Sequence, residues 1–147
     1  MKVPIEEVSG RVLDYLIARA LWPERDVPAW WFTDRPDGCL LPSLDGESAN
    51  PVDGFFPQSS WGQSGPVLAQ YDIYPFVWEH WEGAYGAQLP RPVERLGQSV
   101  RFRVTGPTPL VAAWRCLVAF KLGCYTPYGG IVVDVPQEAW AQLQNKD

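Results

Sequence analysis

The chain has 147 residues with ordinary fractions of hydrophobic (46%) and charged (20%) side chains, which indicates one globular domain over residues 1–147. Its formal net charge of −5 argues against binding of the whole chain to a nucleic-acid polymer. No apolar run approaches the roughly 20 residues of a membrane span, and the N-terminus lacks a signal-peptide core. We therefore expect a soluble protein with no membrane partner.

The cysteine, tryptophan and proline contents indicate the cellular compartment and the general architecture of the protein. The three cysteines (Cys39, Cys116 and Cys124) form no C-x-x-C pair, and such a sparse, odd set is typical of a reducing cytoplasm. Eight tryptophans are expected to line a core, a pocket or an interface, since an exposed indole is unfavourable. Fifteen prolines indicate long connections of fixed shape.

Residues 8–20 have the spacing of an amphipathic helix with Ser9 as its N-cap. The apolar residues that share one face are Val12, Leu13, Leu16, Ile17 and Ala20. The charged residues expected to face away are Arg11, Asp14 and Arg19. The helix is expected to end near Trp22, because Pro23 disfavours helical backbone in the residue before it.

The middle of the chain predicts short elements and long connections. The aromatic run at 30–33 predicts a short buried strand, which pairs with residues 39–41 across an R-P-D-G turn. Residues 42–66 are rich in Ser, Gly, Pro, Asn and Asp, and a connection of this length is usually functional or disordered. Residues 67–74 predict a strand, and residues 76–83 a short helix or irregular turn.

The last third of the chain contains clearer strands. Residues 99–105 alternate, which predicts a strand with apolar side chains inward and Arg101 and Arg103 outward. Residues 131–135 predict a final strand, and a short C-terminal helix is expected to start at Pro136.

The strongest structural signal lies at residues 108–122. Thr108 is a good N-cap, Pro109 suits the first helical position, and Gly123 can adopt the left-handed conformation that closes a last turn. Only two side chains between these caps are charged, which is typical of a buried helix. The order of elements predicts an α+β fold: a small antiparallel sheet packed around this central helix, with an N-terminal helix and long Pro/Gly-rich loops.

Three sequence blocks carry a resemblance to a known family. They are S-G-R-V-L-D-Y in the opening helix, F-P-Q-S-S-W-G-Q-S-G-P-V-L at 56–68, and T-P-L-V-A-A-W-R-C-L-V-A-F-K-L-G at 108–123 with V-P-Q-E-A after it. In this order they resemble the NinX-like bacteriophage accessory proteins, a domain-of-unknown-function family. The resemblance implies a phage-encoded protein in the host cytoplasm and supplies no catalytic residues. Residues 71–98 and the C-Y-T-P-Y-G-G segment depart from the family, which is shorter there.

The sequence contains no familiar catalytic or metal-binding arrangement. The single histidine, His80, lies between tryptophans, and no G-x-S-x-G elbow is present. One histidine and scattered cysteines do not make a usual zinc site, and phosphate-binding and dinucleotide fingerprints are absent. We therefore predict no catalytic residue, metal or cofactor, and a nucleotide-acting hydrolase is only a weaker alternative.

A local excess of positive charge favours binding of a small anion. Residues 91–121 contain six cations and one anion, a net charge of +5, which leaves −10 for the rest of the chain. The simpler interpretation is that these arginines solvate one face of a sheet. Hydroxyls, an amide, an indole and guanidinium groups suit a ligand with a flat ring and a phosphate. The candidate ligand-binding residues are Ser59, Trp61, Gln63, Gly65, Arg101, Arg103 and Arg115.

The leading hypothesis is a non-catalytic phage accessory protein that sequesters a small anionic, nucleotide-like molecule, such as a host anti-phage defence signal. An alternative is a protein-interaction module that inhibits a host or phage protein through exposed tryptophans. A structural alternative has Trp61 in the core and Arg115 paired with Asp14, because an unpaired buried charge is costly. The surplus of aromatic residues also suggests a homo-oligomer.

Overall fold

A computed structural model describes residues 1–24, 26–32, 57–77, 85–90, 92–95, 97–101, 103–126 and 130–144. The helices of this part are α1 (Gly10–Leu21), α2 (Trp61–Gln70), α3 (Pro109–Leu122) and α4 (Gln137–Gln144), with short 3-10 helices at Ile5–Glu7 and Ala29–Phe32. The strands are β1 (Lys2–Pro4), β2 (Tyr74–Val77), β3 (Tyr85–Gln88), β4 (Val93–Arg95), β5 (Gln98–Val100), β6 (Arg103–Gly106), β7 (Gly123–Tyr125) and β8 (Ile131–Asp134). The predicted single α+β domain is confirmed.

The strands form two small antiparallel sheets and a hairpin, where the sequence predicted one sheet. One sheet has the order β1-β8-β7, the other has the order β2-β3-β6, and β4 pairs with β5. Helix α3 follows β6 of the second sheet and leads into β7 of the first, and it contacts strands of both.

Helix α3 begins as predicted, but it ends for a different reason. The Thr108 hydroxyl accepts a hydrogen bond from the Val111 N–H at 3.2 Å, and every residue from 110 to 119 is buried. Gly123 has an extended backbone (φ −77°) and not the predicted left-handed one. The chain passes directly into β7, where a Cβ on Gly123 would collide with the carbonyl oxygen of Ala119. Close approach therefore requires this glycine.

Helix α1 is confirmed, with one error in the orientation of its charged residues. Ser9 occupies the N-cap position, although its side chain makes no capping hydrogen bond. Arg19 is exposed as predicted, whereas Asp14 is only 5% exposed. Asp14 was expected to face solvent because helical spacing alone does not reveal that another segment covers this part of α1.

Two strand predictions are wrong. Residues 30–32 of the aromatic run lie in the 3-10 helix Ala29–Phe32, where the buried Phe32 ring packs edge-on against Tyr15 with centroids 5.8 Å apart. In the segment 67–74 the first four residues are the end of α2, and β2 starts only at Tyr74. Helix α2 buries Ser64, Val67 and Leu68, which lie at i, i+3 and i+4, so the 3.6-residue period prevails over β-propensity.

The single strand predicted at 99–105 is instead divided between β5 and β6, which belong to different sheets, although Arg101 and Arg103 are exposed as expected. The last strand and helix are present as β8 and α4. Predictions for 33–56 and 78–84 lie outside the described residues. Within the described part, no helix has the length and apolar character needed to cross a membrane.

Candidate functional site

Four of the candidate ligand-binding residues belong to the connection predicted at 42–66, but they lie in or directly before the start of helix α2. The Ser60 hydroxyl accepts a hydrogen bond from the Gln63 N–H at 3.2 Å, which is an N-cap. Trp61 is 53% exposed at the first helical position, and Ser59 before it is also exposed. A Cβ on Gly65 would meet open space, so no close approach requires a glycine there. The loop interpretation is therefore wrong.

Residues within the same segment attach α2 to α3. The indole Nε1 of Trp114, on α3, donates to the Ser64 hydroxyl at 3.0 Å and to the Pro57 carbonyl oxygen at 3.1 Å. The Ser64 hydroxyl also donates to the Pro57 carbonyl. Ser64 and Trp114 are both completely buried. This serine, which sequence reasoning did not select, therefore completes a buried polar network and is not available to a ligand.

The Gln58 side chain covers Asp14 on α1. Its Nε2 donates to the Gly10 carbonyl at 2.7 Å and to Asp14 Oδ1 at 2.8 Å. Arg11 Nη1 lies 3.1 Å from Asp14 Oδ2. Burial raises the pKa of the Asp14 carboxyl to about 6, although the Gln58 hydrogen bond and the Arg11 charge both act to lower it.

This raised pKa predicts a pH-dependent contribution to stability. Because the folded-state pKa of Asp14, about 6, exceeds its ordinary value of 3.8, the folded protein holds a proton that the unfolded chain releases. The contribution of Asp14 is therefore complete below pH 4 and is lost as the pH rises through 6. Relative to Asp14→Asn, we expect the wild-type free energy of unfolding to fall by about 2 to 3 kcal/mol across this window. Urea unfolding at several pH values measures it, and parallel pH profiles for the two proteins would contradict it.

Arg115 is a buried cation that binds backbone carbonyl groups. It is 6% exposed, its Nε donates to the Val8 carbonyl at 2.8 Å, and its Nη1 donates to the Thr105 carbonyl at 2.9 Å. Burial lowers the pKa of the guanidinium, and the charge of Glu6 acts in the opposite direction. Arg115 thereby ties β6 and the chain before α1 to α3.

The expected alternative pairing of Arg115 with Asp14 is wrong, because Asp14 pairs with Arg11. Among the residues that the structure describes, no carboxylate forms an ion pair with Arg115. Two nitrogens of this guanidinium donate hydrogen bonds to carbonyl oxygens. The partner that a buried cation requires is therefore the protein's own backbone.

The two other candidate arginines lie at the surface, near or on β6. Arg101 Nη2 donates to the Pro90 carbonyl at 3.1 Å, and Arg103 Nη2 lies 3.4 Å from the Gln88 side-chain oxygen. The seven predicted residues therefore occupy three settings. Ser59, Trp61, Gln63 and Gly65 lie at the start of α2, Arg101 and Arg103 lie on or beside the sheet, and Arg115 lies beneath the surface.

The β2-β3-β6 sheet adds residues that sequence reasoning missed. Tyr74, Gln88 and Arg103 are register partners in adjacent strands, so their side chains share one face. Phe76 is two residues from Tyr74 and lies on the same face. On the opposite face Ala87 and Val104 are buried, and their strands contact α3.

We call the exposed surface of Tyr74, Phe76, Gln88 and Arg103 the aromatic–arginine face. Tyr74 is 62% exposed and Phe76 is 38% exposed. The alternation in Y-P-F was the available sequence signal. It could have been recognised only if this segment had been assigned to a strand, whereas the prediction ended its strand at Tyr74 and began a short helix or turn at Phe76.

A cavity of about 300 Å³ lies where α1 and α3 both end. Arg19 in its wall donates from Nη1 to the Tyr15 hydroxyl at 3.1 Å, with its Cζ 5.6 Å from the centre of that ring. Leu122, the last residue of α3, lines the same cavity.

The described residues contain no group of three or more His, Cys, Asp or Glu side chains that could hold a metal ion. Burial raises the pKa of the Cys116 thiol to about 12, so this thiol is not a nucleophile near neutral pH. His80, the only histidine in the sequence, lies outside the described residues.

No protein-family model matches the chain, and no curated protein matches it. The NinX-like resemblance therefore remains a prediction based on its three sequence blocks. Two contacts join these blocks, since Gln58 binds Asp14 and Ser64 binds Trp114, and Arg115 of the third block binds Val8 directly before the first. These blocks therefore supply packing and buried hydrogen bonds that hold α1, α2 and α3 together.

Proposed function

We propose that this chain is a non-catalytic, phage-encoded accessory protein that binds a small anionic, nucleotide-like molecule on the aromatic–arginine face. The observation that carries the proposal is the alignment of Tyr74, Gln88 and Arg103 across three strands, with Phe76 beside them. Aromatic rings stack on a base, a guanidinium pairs with phosphate, and an amide bonds to the base edge. These are the chemical groups that the leading hypothesis requires.

The charges favour this face over the other candidate positions. The cavity lies at the carboxyl ends of α1 and α3, and its wall contains Asp26 as well as Arg19, so the negative partial charge of the helix ends and the carboxylate together disfavour a ligand with a net negative charge such as a phosphate. Arg115 is almost completely buried and already binds two carbonyl groups. Arg103 and Arg101 are exposed and belong to the segment with a net charge of +5.

We propose a small molecule as the ligand, and not a polymer, because the rest of the chain is strongly acidic. Outside residues 91–121 the chain carries a net charge of −10, which repels a polyanion. The phage origin is supported by the resemblance of α1, residues 56–68 and α3 to NinX-like proteins. In that setting, sequestration of a host defence signal would be the biological use.

Calorimetric titration of the full chain with AMP, cyclic AMP, cyclic GMP and ADP-ribose tests the proposal. We expect saturable binding of at least one, which Tyr74→Ala weakens by about 10- to 100-fold, since stacking is worth about 1 to 3 kcal/mol. Arg103→Gln is expected to weaken it by about 10-fold or more through loss of a charged hydrogen bond. Trp61→Ala is the control and should bind as the wild type does. The absence of binding at high micromolar concentration would contradict the proposal.

A second candidate function, a protein-interaction module, is favoured by a different observation. Within the described part of the chain β2 has one neighbouring strand, and its last residue, Val77, is 68% exposed. An exposed edge strand can pair with a strand of another chain, including a second copy in a homo-oligomer. A stoichiometric protein partner recovered from host lysate, together with no nucleotide binding, would favour this function over the first.

A further inference from the structure

The cavity at the ends of α1 and α3 has the size of a small-molecule site. Its volume of about 300 Å³ is at the lower end of the range of about 300 to 1,000 Å³ that is usual for such sites. Tyr15 and Trp22 supply aromatic walls, and Val27 and Leu122 supply aliphatic walls. All four are buried or half-buried, so the walls belong to the packed interior.

The same cavity is lined by one cation and one anion that do not neutralise each other. In the described part of the chain no ion pair joins Arg19 to Asp26. Arg19 uses an Nη1 hydrogen for the Tyr15 hydroxyl, which leaves most of its N–H groups available. Asp26 makes no hydrogen bond or ion pair with any described residue. A ligand with both a negative and a positive group could therefore satisfy both side chains.

The position of the cavity decides where the positive group of a ligand belongs. Helices α1 and α3 both end there, and the carboxyl end of a helix carries negative partial charge. An ammonium group is thus favoured by Asp26 and by the two helix ends, while Arg19 is suited to a carboxylate.

We propose that this cavity binds a free α-amino acid with an apolar side chain. Its carboxylate would pair with Arg19, its ammonium with Asp26, and its apolar side chain would pack against Val27 and Leu122. The site shares no residue with the aromatic–arginine face, so this inference goes beyond the proposed function and can fail or succeed separately from it.

Calorimetric titration of the full chain with L-phenylalanine tests this site. We expect saturable binding, and at least about tenfold weaker binding of N-acetyl-L-phenylalanine and of 2-phenylethylamine, each of which lacks one charge. Arg19→Gln and Asp26→Asn are each expected to weaken L-phenylalanine binding by about tenfold or more. Both side chains are exposed, so the variants should fold, and circular dichroism verifies this.

The most specific control compares the effect of one variant on two ligands that differ by the charge its side chain would bind. Asp26→Asn should weaken binding of L-phenylalanine much more than binding of N-acetyl-L-phenylalanine, because the acetylated ligand has no ammonium group to lose a partner. Arg103→Gln should leave L-phenylalanine binding unchanged. The absence of any heat at millimolar L-phenylalanine would overturn the proposal, as would equal binding of the three ligands.

Discussion

Trp114→Ala is expected to destabilise the protein by about 4 to 5 kcal/mol. The side chain is fully buried on α3, and its removal leaves a cavity that the packed helix cannot fill. It also removes the indole N–H that binds the Ser64 hydroxyl and the Pro57 carbonyl. Denaturant unfolding followed by circular dichroism measures the loss.

Two matched variants separate the causes of this effect. Trp114→Phe retains most of the ring volume but loses the N–H donor, so it should cost about 1 to 3 kcal/mol. Trp61→Ala removes the same kind of side chain from a position that is 53% exposed, and it should change stability by no more than about 0.5 kcal/mol. If Trp114→Ala and Trp61→Ala had similar stabilities, the buried network would not hold α2 and α3 together.

Arg115→Met is expected to cost about 3 to 4 kcal/mol of unfolding free energy. It removes two charged hydrogen bonds and leaves the carbonyl groups of Val8 and Thr105 without these donors. The gain from no longer burying a charge offsets part of the loss. Arg115→Lys should also destabilise, because one ammonium group cannot reproduce the two-nitrogen geometry of a guanidinium.

A control on the same helix and a ligand measurement make this prediction specific. Lys121→Met removes an exposed cation that lies 5.0 Å from the Tyr71 ring centre, and it should cost at most about 1 kcal/mol. Folded Arg115→Lys should bind nucleotides as the wild type does. An Arg115→Met protein of unchanged stability that has lost nucleotide binding would instead assign Arg115 to the ligand.

Local sequence signals predicted the helices where their caps and apolar spacing agree. Thr108 caps α3 through a bond to the N–H three residues later, and the apolar face of α1 follows from a period of 3.6 residues. The same reasoning failed at Trp61–Gln70. Gly, Ser and Pro there have the composition of a loop, yet the Ser60 cap and the Ser64–Trp114 hydrogen bond make the segment a helix. Tertiary contacts prevailed over local preference.

The surroundings of the buried charged residues depended still more on contacts between distant parts of the chain. A cation in an apolar helix predicts that Arg115 needs a partner, and this need is visible in the sequence. The partner, the carbonyl group of Val8, is 107 residues away and carries no side-chain signal. Asp14 has the helical spacing of a solvated residue, but Gln58, 44 residues later in the chain, covers it.

The α+β class and the elements α1, α3, α4 and β8 could be predicted from composition, capping residues and apolar periodicity, since these elements depend on interactions between residues that are close in the chain. Strand register and the positions of charged groups were not accessible in this way. Tyr74 and Arg103 share a face only because β2, β3 and β6 pair in one particular register. Such pairing is decided by which surfaces bury each other in the folded chain, a property of the three-dimensional packing that no local stretch of sequence encodes.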